Sequence, residues 1–300
     1  MNIENLKFGN AAGTVKTLVE VEKACKSSMT EITVGSITVK EIKGNTPDSG
    51  TGRTYYYHPS EGWSLNSLGL PNMGLTEYCR VLPEMVLMAH SAGKDLRASV
   101  AGFSPDDYAL LTEECFGLGV DEVELNLGCP NVWGKEGQKP IASYHPELAA
   151  SILQAVNERD PVSARRIAVK ISPVEEIRVL HRLLDVVMDS GFVTRIVGTN
   201  TIPNQDRLAE DRSPALSFNN GNHLGGLAGS AIFENALRVM ELVWQYTEAR
   251  IELTSVGGIS SGATAHQHLR RTSGFQCATA YWERGPRLFS EILEELSELT

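Results

Sequence analysis

The stretch RIAVKISPVEEIRVLHRLLDVVMDSGFVTRIVGTNT, residues 166–201, decides how the whole chain is read. It opens on a short apolar run, RIAVKIS, passes through an amphipathic helical pattern, and returns to a second apolar run, RIVGTNT. A strand, a helix and a strand in that order place the two strands parallel, because the crossover helix returns the chain to its starting direction. The same switch repeats on both sides. Strands are expected at FGNAAG (8–13), EITVGSI (31–37), RASVAG (97–102), VELNLG (123–128), ELTSVGG (252–258) and FQCATAY (275–281), with amphipathic helices between them and GPRLFSEILEELSEL closing the chain. Ser104-Pro-Asp-Asp and Ser172-Pro-Val-Glu-Glu read as helix N-caps with acidic first turns suited to the helix dipole. Eight strand–helix units in 300 residues match the count and size of a closed (β/α)8 TIM barrel. An open doubly wound sheet would carry a Gly-rich turn after its first strand, and GNAAGTVK is a poor G-x-G-x-x-G. Residues 38–75 and 203–224 exceed ordinary connections; both follow even-numbered strands and are expected to overhang the C-terminal mouth as long loops. No linker or repeat divides the chain, so 1–300 reads as a single domain.

Bulk properties narrow the function. A hydrophobic content of 42% supports a large core, and a net charge of −10 argues against a nucleic-acid partner. No run approaches the roughly 18 uninterrupted apolar residues of a membrane span, and MNIENLKFGN is not a secretory signal. The five cysteines, Cys25, Cys79, Cys115, Cys129 and Cys277, are odd in number, spread out and without a CxxC. That pattern suits reduced thiols in a cytoplasmic setting and opposes a structural metal or an iron–sulfur cluster.

Barrel chemistry collects at strand C-termini. Here those ends carry Asn10, Ala12-Gly13, Ser36, Asn126, Lys170, Asn200-Thr201, Gly257-Gly258 and Ala278-Thr279, with Cys129 and Asn131 just beyond ELNLG. No carboxylate pair and no histidine ends a strand, which opposes glycoside hydrolysis and a His/Asp metal hydrolase. Glycines at the seventh and eighth strands suit a phosphate cradle, although Gly257-Gly258 alone is equally well a tight turn. An amide-rich site with one inward lysine, Lys170, suits a phosphorylated planar cofactor such as FMN. Cys277 reads as a core thiol, Cys25, Cys79 and Cys115 as helix packing, His266 and His268 as surface or supporting groups, and the aromatics at 55–63 as loop packing. Cys129 resists such a reading, because it stands one step past its strand among amides.

With Cys129 in place, the chain resembles the class 1 dihydroorotate dehydrogenases, particularly subclass 1A. The matching pieces are NAAG (10–13), LNSLGLPNMG (65–74), LNLGCPNVWGK (125–135), VKISP (169–173), TNTI (199–202), GGLAGSAI (225–232), VGGISSG (256–262) and CATAYWERGP (277–286). They occur in family order and span nearly the whole chain. The resemblance implies an FMN-dependent barrel oxidising dihydroorotate to orotate in pyrimidine biosynthesis, with Cys129 as the base at C5 while a hydride leaves C6 for the flavin. It also implies fumarate as the electron acceptor and a homodimer. Substrate contacts would fall to Asn66, Asn126, Asn131, Asn200 and Thr201, and the carboxylate to the backbone of Leu68, Gly69 and Leu70. FMN would be held by Ala12, Gly13, Ser36, Asn126, Lys170, Thr199 and Gly229, with Gly257, Gly258, Ala278 and Thr279 at its phosphate. Class 2 members carry Ser in place of the cysteine and an N-terminal membrane segment, neither of which is expected here.

The chain departs from the family pattern at Gly35, where the family has a lysine that touches flavin and substrate carboxylate. Loss of a charge-assisted contact predicts orotate binding weaker by roughly tenfold or more. Lys40 and Lys43 are the candidates to replace it. Gly128, Ala228 and Ala278 also differ, as does the insertion KEGQKPIASYHPE. Two other readings stay open: a flavin oxidoreductase acting on an uncharged dihydropyrimidine or cyclic enone, and an inactive barrel used as a binding protein.

Overall fold

In a computed structural model, residues 6–129, 133–134, 137–159 and 166–299 are described. The strands in chain order are β1 (Lys7–Asn10), β2 (Glu31–Ile37), β3 (Tyr55–His58), β4 (Trp63–Asn66), β5 (Asp95–Val100), β6 (Glu122–Asn126), β7 (Trp133–Gly134), β8 (Gly137–Gln138), β9 (Arg166–Ile171), β10 (Val193–Gly198), β11 (Ile202–Gln205), β12 (Gly225–Gly229), β13 (Glu252–Val256) and β14 (Gly274–Cys277). The helices are α1 (Leu18–Cys25), α2 (Leu75–Ser91), α3 (Pro105–Gly117), α4 (Pro146–Arg159), α5 (Ile177–Asp189), α6 (Phe233–Thr247), α7 (Gly262–His268), α8 (Thr279–Arg284) and α9 (Leu288–Leu299). Eight strands close a parallel barrel in the order β1-β14-β13-β10-β9-β6-β5-β2. This is the expected (β/α)8 architecture.

Strand residues alternate between two apolar or polar environments. Ile32, Val34, Leu96, Ala98, Val123, Leu125, Ile167, Val169 and Ile196 belong to the main core shared with the helices. The other face points into the barrel, and its lower part is filled by charge. Glu31, Arg97, Glu122, Glu124, Lys170 and Arg195 are all buried there. Arg195 grips Glu31 bidentately at 2.8 and 2.9 Å, and Arg97 meets Glu122 at 2.5 Å. Lys170 lies 3.9 Å from Glu124. Three cations face three anions, so the interior is neutral despite its ions. Above them sits a small cluster of Ala11, Ala168, Val197 and Val256, with Ala278 packed against it. Small side chains at that level leave space under the mouth.

Several boundaries differ from the sequence expectation. The 38–75 and 203–224 connections are not simply loops, because β3 and β4 pair antiparallel and join β12 and β11 in a four-stranded sheet. Its apolar face has its own core of Trp63, Leu65, Ala215, Leu216, Phe218, Leu227 and Ile232. The eighth barrel strand stops at Cys277 rather than 281, and Thr279 opens α8. Ser104 caps α3 as expected, accepting from Asp107 N. Ser172 does not cap α5, which begins at Ile177 without a side-chain cap; its hydroxyl instead donates to Gly128 O at 3.2 Å. Among the described residues no helix is long and apolar enough to cross a membrane.

Candidate active site

A cavity opens at the C-terminal ends of the strands and is continuous with solvent. The end of β1 contributes Ala12 and Gly13, β2 contributes Ser36, and β9 contributes Lys170. The end of β6 contributes Asn126 and the turn beyond it Cys129, while Thr199, Asn200 and Thr201 follow β10. The antiparallel sheet adds Asn66, and the turn after it Leu68, Gly69 and Leu70. A second cleft contains Gly229, Gly257 and Gly258 and shares Ala228, Val256, Ala278 and Thr279 with the first. The structure thus brings together every described residue expected at the site. Asn131 lies outside the described residues, as do the first two residues of the insertion, 135 and 136.

Hydrogen bonds tie the polar floor into one assembly. Asn126 Nδ2 donates to Ser36 Oγ at 2.9 Å, and Ser36 Oγ lies 3.1 Å from Ser99 Oγ. Asn126 Oδ1 accepts from Asn200 Nδ2 and from Gly128 N, each at 3.2 Å. Asn200 Oδ1 in turn accepts from Thr201 N at 2.8 Å. Fixed amides of this kind cost little to reorganise when a ring with alternating donors and acceptors binds. The glycine at 128 has a local cause: a Cβ there would stand 2.8 Å from Ser172 Oγ and 3.0 Å from Asn200 Cβ. Asn10 is structural, since its amide pairs with both backbone groups of Thr33 and clamps β1 to β2.

Charge converges on the thiol. Lys16, Lys139 and Lys170 each interact electrostatically with Cys129. Burial holds all three ammonium groups below the usual lysine range, opposed for Lys170 by Glu124. Cys277, by contrast, is buried and its thiol is pushed far up by desolvation, which fits a core residue.

The cavity has features that a flavin phosphate ester would satisfy. Thr199 Oγ1 and Thr201 Oγ1 are buried without a hydrogen-bond partner, an arrangement that costs stability until a ligand supplies one. Gly13 takes φ +98°, and a Cβ there would meet nothing within 4 Å, so its backbone borders open cavity. The Gly257-Gly258 turn also has a packing reason, because Cβ atoms would fall 2.5 Å from Ala236 Cβ and 2.6 Å from Phe233 Cβ. His268, expected only as a supporting residue, braces that turn: its Nε2 donates to Gly257 O at 3.0 Å while Nδ1 lies 2.5 Å from Ser255 Oγ. Burial lowers its pKa to about 4, so the ring stands neutral.

Sequence reasoning missed Lys16. It lines the cavity, and its Nζ donates to Pro71 O at 2.9 Å. Lys40 and Lys43, the expected replacements for a cation at position 35, are both exposed and line neither cleft. Gly35 itself leaves no room for a side chain, since a Cβ would sit 2.4 Å from Ser99 O and 2.8 Å from Ile37 N at a φ of +115°.

The chain is similar to known proteins over nearly its whole length. A Streptococcus uberis protein whose name ties it to dihydroorotate dehydrogenase A (fumarate) is 29% identical over 97% of this chain and 88% of its own length. A Trypanosoma cruzi dihydroorotate dehydrogenase (fumarate) is 28% identical over 97% and 88%. The catalytic subunit of a Methanocaldococcus jannaschii dihydroorotate dehydrogenase B (NAD(+)) is 25% identical over 98% and 91%. The family model for dihydroorotate dehydrogenase matches residues 2–300. Members are flavin-dependent oxidoreductases acting on CH–CH bonds, and the chain, by the match of nearly its entire length, belongs to the dihydroorotate dehydrogenase family.

Proposed function

We propose that this chain, as one 1–300 unit, oxidises dihydroorotate to orotate with FMN as cofactor and Cys129 as base. The observation that carries the reading is the position of Cys129, beyond the end of β6 and lining the same cavity as Asn126, Lys170, Asn200 and Thr201. A base must reach one face of a flat ring while the cofactor occupies the other, and a residue on the turn over the floor meets that need.

In this reading Asn66, Asn126, Asn131, Asn200 and Thr201 orient the pyrimidine ring through its amide edges, and Cys129 takes the C5 proton onto its sulfur. The three lysines whose fields reach Cys129 favour negative charge on that sulfur. Leu68, Gly69 and Leu70 present backbone N–H groups to the carboxylate. Ala12, Gly13, Ser36, Lys170 and Thr199 hold the ring system of FMN, and Gly229, Gly257, Gly258, Ala278 and Thr279 its phosphate. When bound, FMN supplies the two-electron acceptor for the hydrogen that leaves C6. The acceptor that reoxidises it is fumarate, supported by the names of the Streptococcus and Trypanosoma relatives. The active form is a cytoplasmic homodimer.

The test is anaerobic. The FMN-loaded protein mixed with dihydroorotate loses its visible flavin absorbance, and Cys129→Ser, with the same FMN content, loses it at least a hundredfold more slowly near neutral pH. A loaded wild-type protein that keeps its colour in millimolar dihydroorotate rules the reaction out.

A further inference from the structure

We propose that Lys16 receives the carboxylate of the substrate and confines the site to anionic, carboxylate-bearing dihydropyrimidines. The inference rests on the reaction proposed above and names the residue that makes it selective.

Lys16 leaves the chain just after β1, far in sequence from the 68–71 turn, yet its Nζ donates to Pro71 O at 2.9 Å. That bond pins the ammonium beside Leu68, Gly69 and Leu70, all of which line the cavity. An ammonium has three N–H donors, and Pro71 takes one. The turn it adjoins is an unusual one, since Gly69 at φ +75° is followed by Leu70 at φ +56°. A non-glycine residue held in the left-handed region marks a backbone shaped for something other than its own comfort. The turn borders the cavity next to the ammonium, which places backbone and cation on the same side of a bound anion.

The other charges leave Lys16 in that role. Among the described residues, Lys16 and Lys170 are the lysines lining the cavity, and Lys170 stands over Glu124 inside the barrel. Glu20, whose field also reaches Lys16, has its Oε2 committed to capping α1 through Lys16 N, Thr17 N and Thr17 Oγ1. Gly35 admits no side chain, and Lys40 and Lys43 face solvent. Lys16 and Cys129 line the same cavity, and the field of the thiol reaches the ammonium. Desolvation lowers the pKa of Lys16, a cost that a bound carboxylate offsets.

The experiment compares orotate with uracil, which differs by the carboxylate. Calorimetric titration of the FMN-loaded wild type, Lys16→Met and Lys16→Arg gives six dissociation constants, with flavin absorbance confirming equal cofactor content. Wild type is expected to prefer orotate by tenfold or more. In K16M orotate binding weakens roughly ten- to hundredfold while uracil binding is unchanged, and K16R recovers part of the loss. K16M binding orotate as tightly as wild type overturns the role of Lys16 and leaves the proposed reaction standing. A wild type that binds no orotate overturns both.

Discussion

Restoring the family lysine at position 35 is the obvious engineering step, and the structure predicts that it fails. In Gly35→Lys the new Cβ would lie 2.4 Å from Ser99 O and 2.8 Å from Ile37 N, both backbone atoms in or beside barrel strands, at a φ of +115°. Holding a side chain in that backbone region costs about 1–3 kcal/mol. Overpacking against a strand that cannot move freely adds about 1–3 kcal/mol. With an unfolding entropy of about 2.1 cal/mol/K per residue, a chain of 300 residues converts the combined 2–6 kcal/mol into a melting temperature lower by about 3–9 °C. The lysine therefore weakens the fold without adding a carboxylate contact. Differential scanning calorimetry of the FMN-loaded protein, followed by orotate titration, measures both effects. A variant that melts within 1 °C of wild type and binds orotate more tightly would refute the argument.

Two further outcomes follow from buried charge. Arg97→Met leaves Glu31, Glu122 and Glu124 short of a cation inside the barrel, so it is expected to cost about 3–5 kcal/mol and lower the melting temperature by about 5–8 °C; calorimetry checks it. His268 has a pKa depressed by burial from 6.5 to about 4, so its contribution to stability is complete above pH 6.5 and disappears as pH falls to about 4. Urea unfolding across that window should show wild type losing about 3 kcal/mol more than His268→Gln, and parallel curves would contradict the assignment.

The barrel was legible because its strands are covered on both sides. RIAVKI and EITVGSI read as apolar runs, and the helices between them as amphipathic stripes. The site was legible through the positions of polar residues relative to those runs: Asn126, Lys170, Asn200 and Cys129 all mark strand ends. The antiparallel sheet was not, since YYYH and WSLN are four-residue strands in a Gly- and Pro-rich segment, and β12, the other partner of WSLN, is drawn from a distant segment. Nor were the barrel ions. Glu122 and Glu124 alternate with Val123 and Leu125, a pattern that in an isolated strand marks a wet face, and only barrel closure reverses it. Lys16 escaped because its reach depends on a contact with Pro71 across 55 residues. The sole hint was a lysine soon after NAAG.

The pairing of β4 with β12 has a consequence for assembly. Asn66 and Gly226 sit opposite each other although 160 positions separate them. Closing so large a span is entropically slow until the intervening strands have brought the two segments near one another. The upper wall of the pocket is thus carried by segments that belong to no barrel strand, and substitutions there alter what the pocket accepts without touching the strands that close the cylinder.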